Sequence, residues 1–177
     1  MDPTDPTRST AESREAAFPR AVAQFDESRD LTRRIPRAVV RLARGSAGRW
    51  LLDWSLRLER DQFFSATARD FMRVRHGVEI GAYSYGECFE PGAFPPGTVI
   101  GRYVSIAEGV RGLGRNHPTD CLSTHPFFFN EKLGFVDRDT VPYGGLVIEH
   151  DAWLGLRSVL APGCRRVGLG AVVGAGA

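Results

Sequence analysis

The chain has 177 residues and 19.5 kDa, room for one domain or a domain with an extension, and enough to bury a core without disulfide staples. Apolar residues make up 42% and charged residues 25%, which excludes a disordered tail or a collagen-like rod. With 23 basic and 21 acidic side chains the net charge is +2, so wholesale nucleic-acid binding is not expected.

The three cysteines, Cys88, Cys121 and Cys164, form no C-x-x-C pair. Neither a disulfide framework nor a thiolate zinc site is expected, and a reducing cytoplasm is the expected location. No apolar run approaches the ~20 residues of a membrane span, and the amino terminus has no apolar signal core, so neither insertion nor secretion is indicated.

In chain order, residues 1–8, with Pro3 and Pro6, read as a disordered start. Ser9 and Glu12 have capping-box spacing and predict a helix over about 11–24. Pro36 suits a first helical position, and Val39, Val40, Leu42 and Ala43 form the stripe of a short helix ending near Gly45. Trp50, Leu51, Trp54, Leu58, Phe63 and Phe64 continue at helical spacing to about Ser65. Residues 1–76 therefore read as an α-helical extension. Between Arg29 and Arg75 stand twelve arginines and five acids, a basic face that reads first as solvated or as a packing surface for another subunit. Peripheral contact with anionic lipid is the alternative.

After Gly77 the period changes to six. An aliphatic residue, a small one, and another small one four positions after the first recur from Ile80, Ile100, Ile106, Ile148, Leu154 and Leu160. One extra residue, Arg166, shifts the phase before Val167, and the unit beginning at Val173 breaks off at Ala177. Six-residue periodicity is the signature of a parallel β-helix. Each unit supplies a short strand and a corner, and three units close a coil that stacks like on like. The small residue after each aliphatic one belongs at a corner where a Cβ would crowd the bend. Residues 77–177 thus read as a mainly β domain with an excursion over about 113–146, where the rhythm fails. The break in mid-repeat leads us to expect a truncated chain.

The segments TVIGRYVSIAEGV, RNHPTD, STHPFFFN and HDAWLGLRSVLAPGCRRVGLGAVVGAGA resemble the hexapeptide-repeat acyltransferases. Within that family they are most similar to the branch of xenobiotic and sugar or polysaccharide O-acetyltransferases. The resemblance runs from Gly77 to Ala177 and implies a left-handed β-helix, a homotrimer, acetyl-CoA as donor, and a small-molecule or glycan acceptor.

Transfer of an acyl group to a hydroxyl needs a base of near-neutral pKa, and histidine fits best. His117 lies seventeen positions after Ile100, at a corner where the excursion departs, and the resemblance gives the histidine of its N-H-P segment the role of general base in a direct ternary-complex transfer. The acceptor is expected near Asn116, Asp120 and His125, all in the excursion. Glu87 falls where related sugar acetyltransferases place a polar substrate contact, commonly Asn. By the same resemblance Gly155, Leu156, Gly174 and Ala175 would contact coenzyme A. His150 reads as a structural group holding Asp151 or a corner carbonyl, and His76 has no evident task. Gly112-Leu113-Gly114 lacks the context of a dinucleotide site. Three converging histidines for a metal are not expected. The alternatives are a serine acetyltransferase-like enzyme and a non-catalytic β-helix scaffold.

Overall fold

A computed structural model describes residues 31–141 and 143–177. The start expected to be disordered at 1–8 and the helix expected over 11–24 lie outside these residues. Among the described residues three helices precede the strands: α1 (Arg37–Leu42), α2 (Gly45–Leu58) and α3 (Ala66–His76). Pro36 precedes α1 in extended geometry, one position earlier than expected. The helix expected to run to Ser65 ends at Leu58, because Arg60 and Asp61 are consecutively left-handed, with φ of 61° and 71°, and such residues cannot continue a right-handed helix.

What turns the chain there is a buried carboxylate. Glu59 is 0% exposed. Its Oε1 accepts from the Arg34 N–H at 2.5 Å, the Ile35 N–H at 3.3 Å and the Thr67 hydroxyl at 2.6 Å. Its Oε2 accepts from the Ser65 hydroxyl at 2.8 Å and the Thr67 N–H at 2.9 Å. Five donors offset the burial of the charge and bind residues 34–35 to the start of α3. Ser65 Oγ in turn accepts from the Ala68 N–H at 3.0 Å and caps α3. Gly77, left-handed at φ 65°, ends it.

Ten two-residue strands follow: β1 (Glu79–Ile80), β2 (Tyr85–Gly86), β3 (Val99–Ile100), β4 (Ser105–Ile106), β5 (Arg111–Gly112), β6 (Val147–Ile148), β7 (Trp153–Leu154), β8 (Val159–Leu160), β9 (Arg166–Val167) and β10 (Val172–Val173). All pair in parallel, in the orders β1-β3-β6-β9, β10-β7-β4-β2 and β5-β8. The architecture is mostly parallel sheet with few helices, compatible with a parallel β-helix. Ile80, Ile100 and Ile148 stand in register and are buried, as are Ile106 and Leu154 of the second sheet.

The corners repeat as regularly as the strands. Tyr83, Tyr103, Asp151 and Gly170 all have φ between 59° and 66°. The Tyr103 N–H donates to the Ala82 carbonyl at 3.2 Å, Asp151 to Arg102 at 2.9 Å and Gly170 to His150 at 3.0 Å. A left-handed non-glycine residue costs about 1–2 kcal/mol, offset here by a corner-to-corner hydrogen bond and, for the stacked Tyr83 and Tyr103 rings 4.9 Å apart, by ring contact. The glycine beside this corner has a different reason. A Cβ on Gly101 would lie 2.6 Å from the His150 nitrogen of the next coil, so close approach of the coils excludes any side chain there.

Leu51, Leu52, Phe71 and Met72 of the helices join Val78, Phe89, Ile100 and Leu154 in one continuous core. Arg69, 4% exposed, binds helix to coil through the Gly81 and Ser84 carbonyls at 3.2 Å each.

Candidate functional site

Between β5 and β6 the chain leaves the coil and folds around one buried ring. Phe129 is 3% exposed, although Phe127 and Phe128 beside it are exposed. Short helical turns over Pro126–Phe128 and Glu131–Leu133 flank it. His117 packs edge-on against Phe129, centroids 5.3 Å apart. The Arg115 guanidinium lies 5.4 Å from the same ring and 5.1 Å from that of Tyr143, and pairs with Asp139 at 3.2 Å. Asp139 also accepts from the Glu131 N–H at 2.9 Å. The excursion is therefore an ordered platform for His117.

The His117 imidazole is exposed, and its Nδ1 lies 2.6 Å from the Thr124 carbonyl oxygen. A carbonyl oxygen can only accept, so Nδ1 carries the proton and donates. In the neutral ring Nε2 is then the unprotonated nitrogen, free to take a proton from a substrate. His125 has the opposite arrangement. Its Nδ1 accepts from the Phe127 N–H at 3.3 Å, so its neutral ring carries the proton on Nε2, and the ring lies 4.3 Å from Phe127. Of the two histidines in this loop, only His117 presents Nε2 as a base.

His150 Nδ1 accepts from the Arg102 N–H at 2.8 Å, a bond between adjacent coils. Burial, reinforced by the Arg102 charge, holds its pKa below the ordinary value against the opposing pull of Glu149. His76 packs 5.6 Å from the Phe71 ring, and burial together with the Arg75 charge lowers its pKa.

The remaining expected site residues fall in three places. Asn116 and Asp120 are exposed on the excursion, where the Cys121 thiol lies 3.8 Å from Asp120 Oδ1. Glu87 sits on the first coil, ion-paired to Arg111, and lines a cleft of about 310 Å³ with Asp53, Glu90, Glu108, Gln62 and Arg49. Gly155, Gly174 and Ala175 are brought together on adjacent coils: a Cβ on Gly155 would lie 2.6 Å from the Ala175 nitrogen. Leu156 is exposed and its carbonyl accepts from the Gly176 N–H at 2.9 Å, while the Gly155 N–H donates to Val173 at 2.8 Å. Among the described residues no hydrogen bond or ion pair joins His117 to Glu87, Asn116, Asp120 or His125.

A chloramphenicol acetyltransferase of Agrobacterium fabrum (strain C58 / ATCC 33970) is 32% identical over 114 residues. The chain is similar to an acetyltransferase. The aligned stretch is 54% of this chain and 54% of that protein, so the chain spans about half the length of the curated relative it matches. No family model matches the chain, and no solved structure does.

The residues that sequence reasoning missed at this site are Phe129, Arg115, Asp139 and the Thr124 carbonyl. The run of three phenylalanines in STHPFFFN was the available signal, but a run does not say which ring turns inward. Among the described residues, no group of three or more His, Cys, Asp or Glu side chains is placed to hold a metal ion. No helix there is long and apolar enough to cross a membrane.

Proposed function

We propose that the protein is a coenzyme-A-dependent O-acetyltransferase that carries an acetyl group from acetyl-CoA to a hydroxyl of a sugar, a polysaccharide precursor or a xenobiotic. The observation that carries this reading is the Nδ1–H of His117 held by the Thr124 carbonyl, which leaves Nε2 as the acceptor for a hydroxyl proton. In this reading both substrates are bound together. Nε2 takes the acceptor's proton as its oxygen attacks the thioester carbonyl. The C–S bond then breaks, and the thiolate leaves with the proton returned by the imidazolium, giving an ester and free coenzyme A. The similarity to an acetyltransferase supports the class of reaction, the resemblance of the repeat segments to hexapeptide-repeat acyltransferases supports a left-handed coil and a homotrimer, and the absence of a C-x-x-C pair among the three cysteines supports a cytoplasmic location. Glu87, Asn116, Asp120 and His125 are proposed for the acceptor, and Gly155, Leu156, Gly174 and Ala175 for coenzyme A.

The test is release of free thiol from acetyl-CoA across a panel of sugar, amino-alcohol and antibiotic acceptors, comparing the parent chain with His117→Ala. Loss of the base should lower kcat by about 10²–10⁴-fold with the fold unchanged by circular dichroism. Turnover by His117→Ala equal to that of the parent would overturn the assignment. Selective use of serine would instead favour the serine acetyltransferase-like reading.

A further inference from the structure

A second cavity, of about 370 Å³, opens where α1, α2 and the end of α3 meet the first coil. Among the described residues its polar side chains are Arg44, Arg49, Arg75 and His76, and no carboxylate of theirs lines it. Arg49 is already neutralised, since it donates to both oxygens of Glu90 at 3.0–3.1 Å and lies 3.7 Å from Asp53. Arg44 and Arg75 have no ion pair among the described residues. Arg75 uses its Nη2 to donate to the Arg41 carbonyl at 2.7 Å, but its Nε is buried with no hydrogen-bond partner. Being buried, that Nε does not face the open cavity, and what Arg75 offers a ligand is the rest of its guanidinium group.

The rest of the cavity has the same character. Ala43, Pro91 and the Phe71 ring supply an apolar wall. A Cβ on Gly45, one of the lining residues, would meet nothing within 4 Å, so the space beside that residue is open. Arg44, at the cap position of α2, makes no side-chain hydrogen bond to the first turn, and no acid stands in that turn. The cavity thus collects donors and positive charge without an acceptor.

We infer that this cavity is a binding site for a phosphate group, held by Arg44 and Arg75, with a small apolar or sugar moiety against Phe71. Guanidinium forks match phosphate oxygens in geometry and charge, and the volume exceeds what a bare ion fills. The site shares none of its lining with His117 and does not depend on the transferase reading.

Isothermal titration of the intact chain with inorganic phosphate, with glucose 1-phosphate and with glucose as neutral control tests it. Saturable binding of both phosphates and none of glucose is expected. Arg44→Gln, which removes no hydrogen bond or ion pair among the described residues, should weaken binding roughly tenfold, as should Arg75→Gln. Arg44→Glu should abolish it, and this keeps the test valid should Arg75→Gln fail to fold. Co-sedimentation with phosphatidic acid vesicles, competed by inorganic phosphate, would assign the phosphate to a lipid headgroup; saturable binding without co-sedimentation would assign it to a soluble phosphomonoester. No saturable binding, or equal binding by the parent and Arg44→Glu, would overturn the inference.

Discussion

The Arg69 guanidinium donates to the Gly81 carbonyl from both Nε and Nη2, at 3.2 Å each, and so ties α3 to the first corner of the coil. The same group reaches the Gln62 and Ser65 carbonyls at 2.8 Å and the Phe63 and Ser84 carbonyls at 3.2–3.4 Å. Five carbonyls converge on one side chain. Arg69→Met should therefore destabilise the protein by about 3–5 kcal/mol, measured by urea unfolding. Arg69→Lys should recover less than half of this, because an ammonium has three donors and no planar fork.

Two buried serines make opposite predictions. Ser84 Oγ donates to the Gly101 carbonyl at 2.7 Å and accepts from the Val104 N–H at 2.9 Å, bridging two coils, so Ser84→Ala should cost about 1–3 kcal/mol. Ser158 is equally buried, yet its Oγ has no partner. Ser158→Ala should be neutral or stabilising, by up to about 1 kcal/mol. Paired melting curves decide the point, and a large loss at Ser158 would show that its hydroxyl is satisfied in solution.

His150 should give the fold a pH dependence. Burial and the Arg102 charge lower its pKa in the folded state despite Glu149, so between the folded value and the unfolded value of about 6.5 the unfolded chain binds more protons. Stability is then intact above about pH 6.5 and falls as the pH drops through it. His76, lowered by burial and Arg75, acts in the same direction. In His150→Asn the side-chain oxygen can accept the Arg102 N–H without titrating, so the slope of stability between about pH 7 and 5 should shrink to what His76 leaves. An unchanged slope would locate the effect elsewhere.

Phe129 should matter to catalysis through His117. The ring holds the imidazole edge-on at 5.3 Å, while the Thr124 carbonyl holds its Nδ1. Phe129→Leu keeps an apolar filler but not the flat face, and we expect kcat to fall roughly tenfold with KM little changed, as small misplacements of a base do. Steady-state kinetics on an acceptor from the thiol-release panel would measure it; a change in KM alone would make Phe129 an acceptor contact.

Much of the coil was legible because its information is local and repeated. Ile80, Ile100, Ile106, Ile148 and Leu154 could be read as inward-facing from their spacing, and all are buried. Gly81 and Gly101 could be read as positions without room, and each would place a Cβ 2.6 Å from backbone of the next coil. The helices were read less well. The helical spacing of Trp50 to Phe64 carried straight through the turn at Arg60 and Asp61, because periodicity reports which face is apolar and not where a distant group halts the chain. Glu59, a charged residue in an arginine-rich stretch, gave no local sign that five donors would gather round it.

The same division holds at the site. A histidine at the corner where the excursion leaves could be picked out from the sequence. Which of its nitrogens is left without a proton in the neutral ring depends on the Thr124 carbonyl, a group every residue possesses and no side-chain pattern marks. That Phe129 and not Phe127 turns inward goes with the packing of Arg115 and His117 against its ring. The sequence by itself determined the repeat, the register it implies and the candidate base. Only the tertiary structure decided the tautomer, the end of α2 and the cationic cavity beside α3, because each rests on contacts between residues whose proximity follows from the folded path and not from any period.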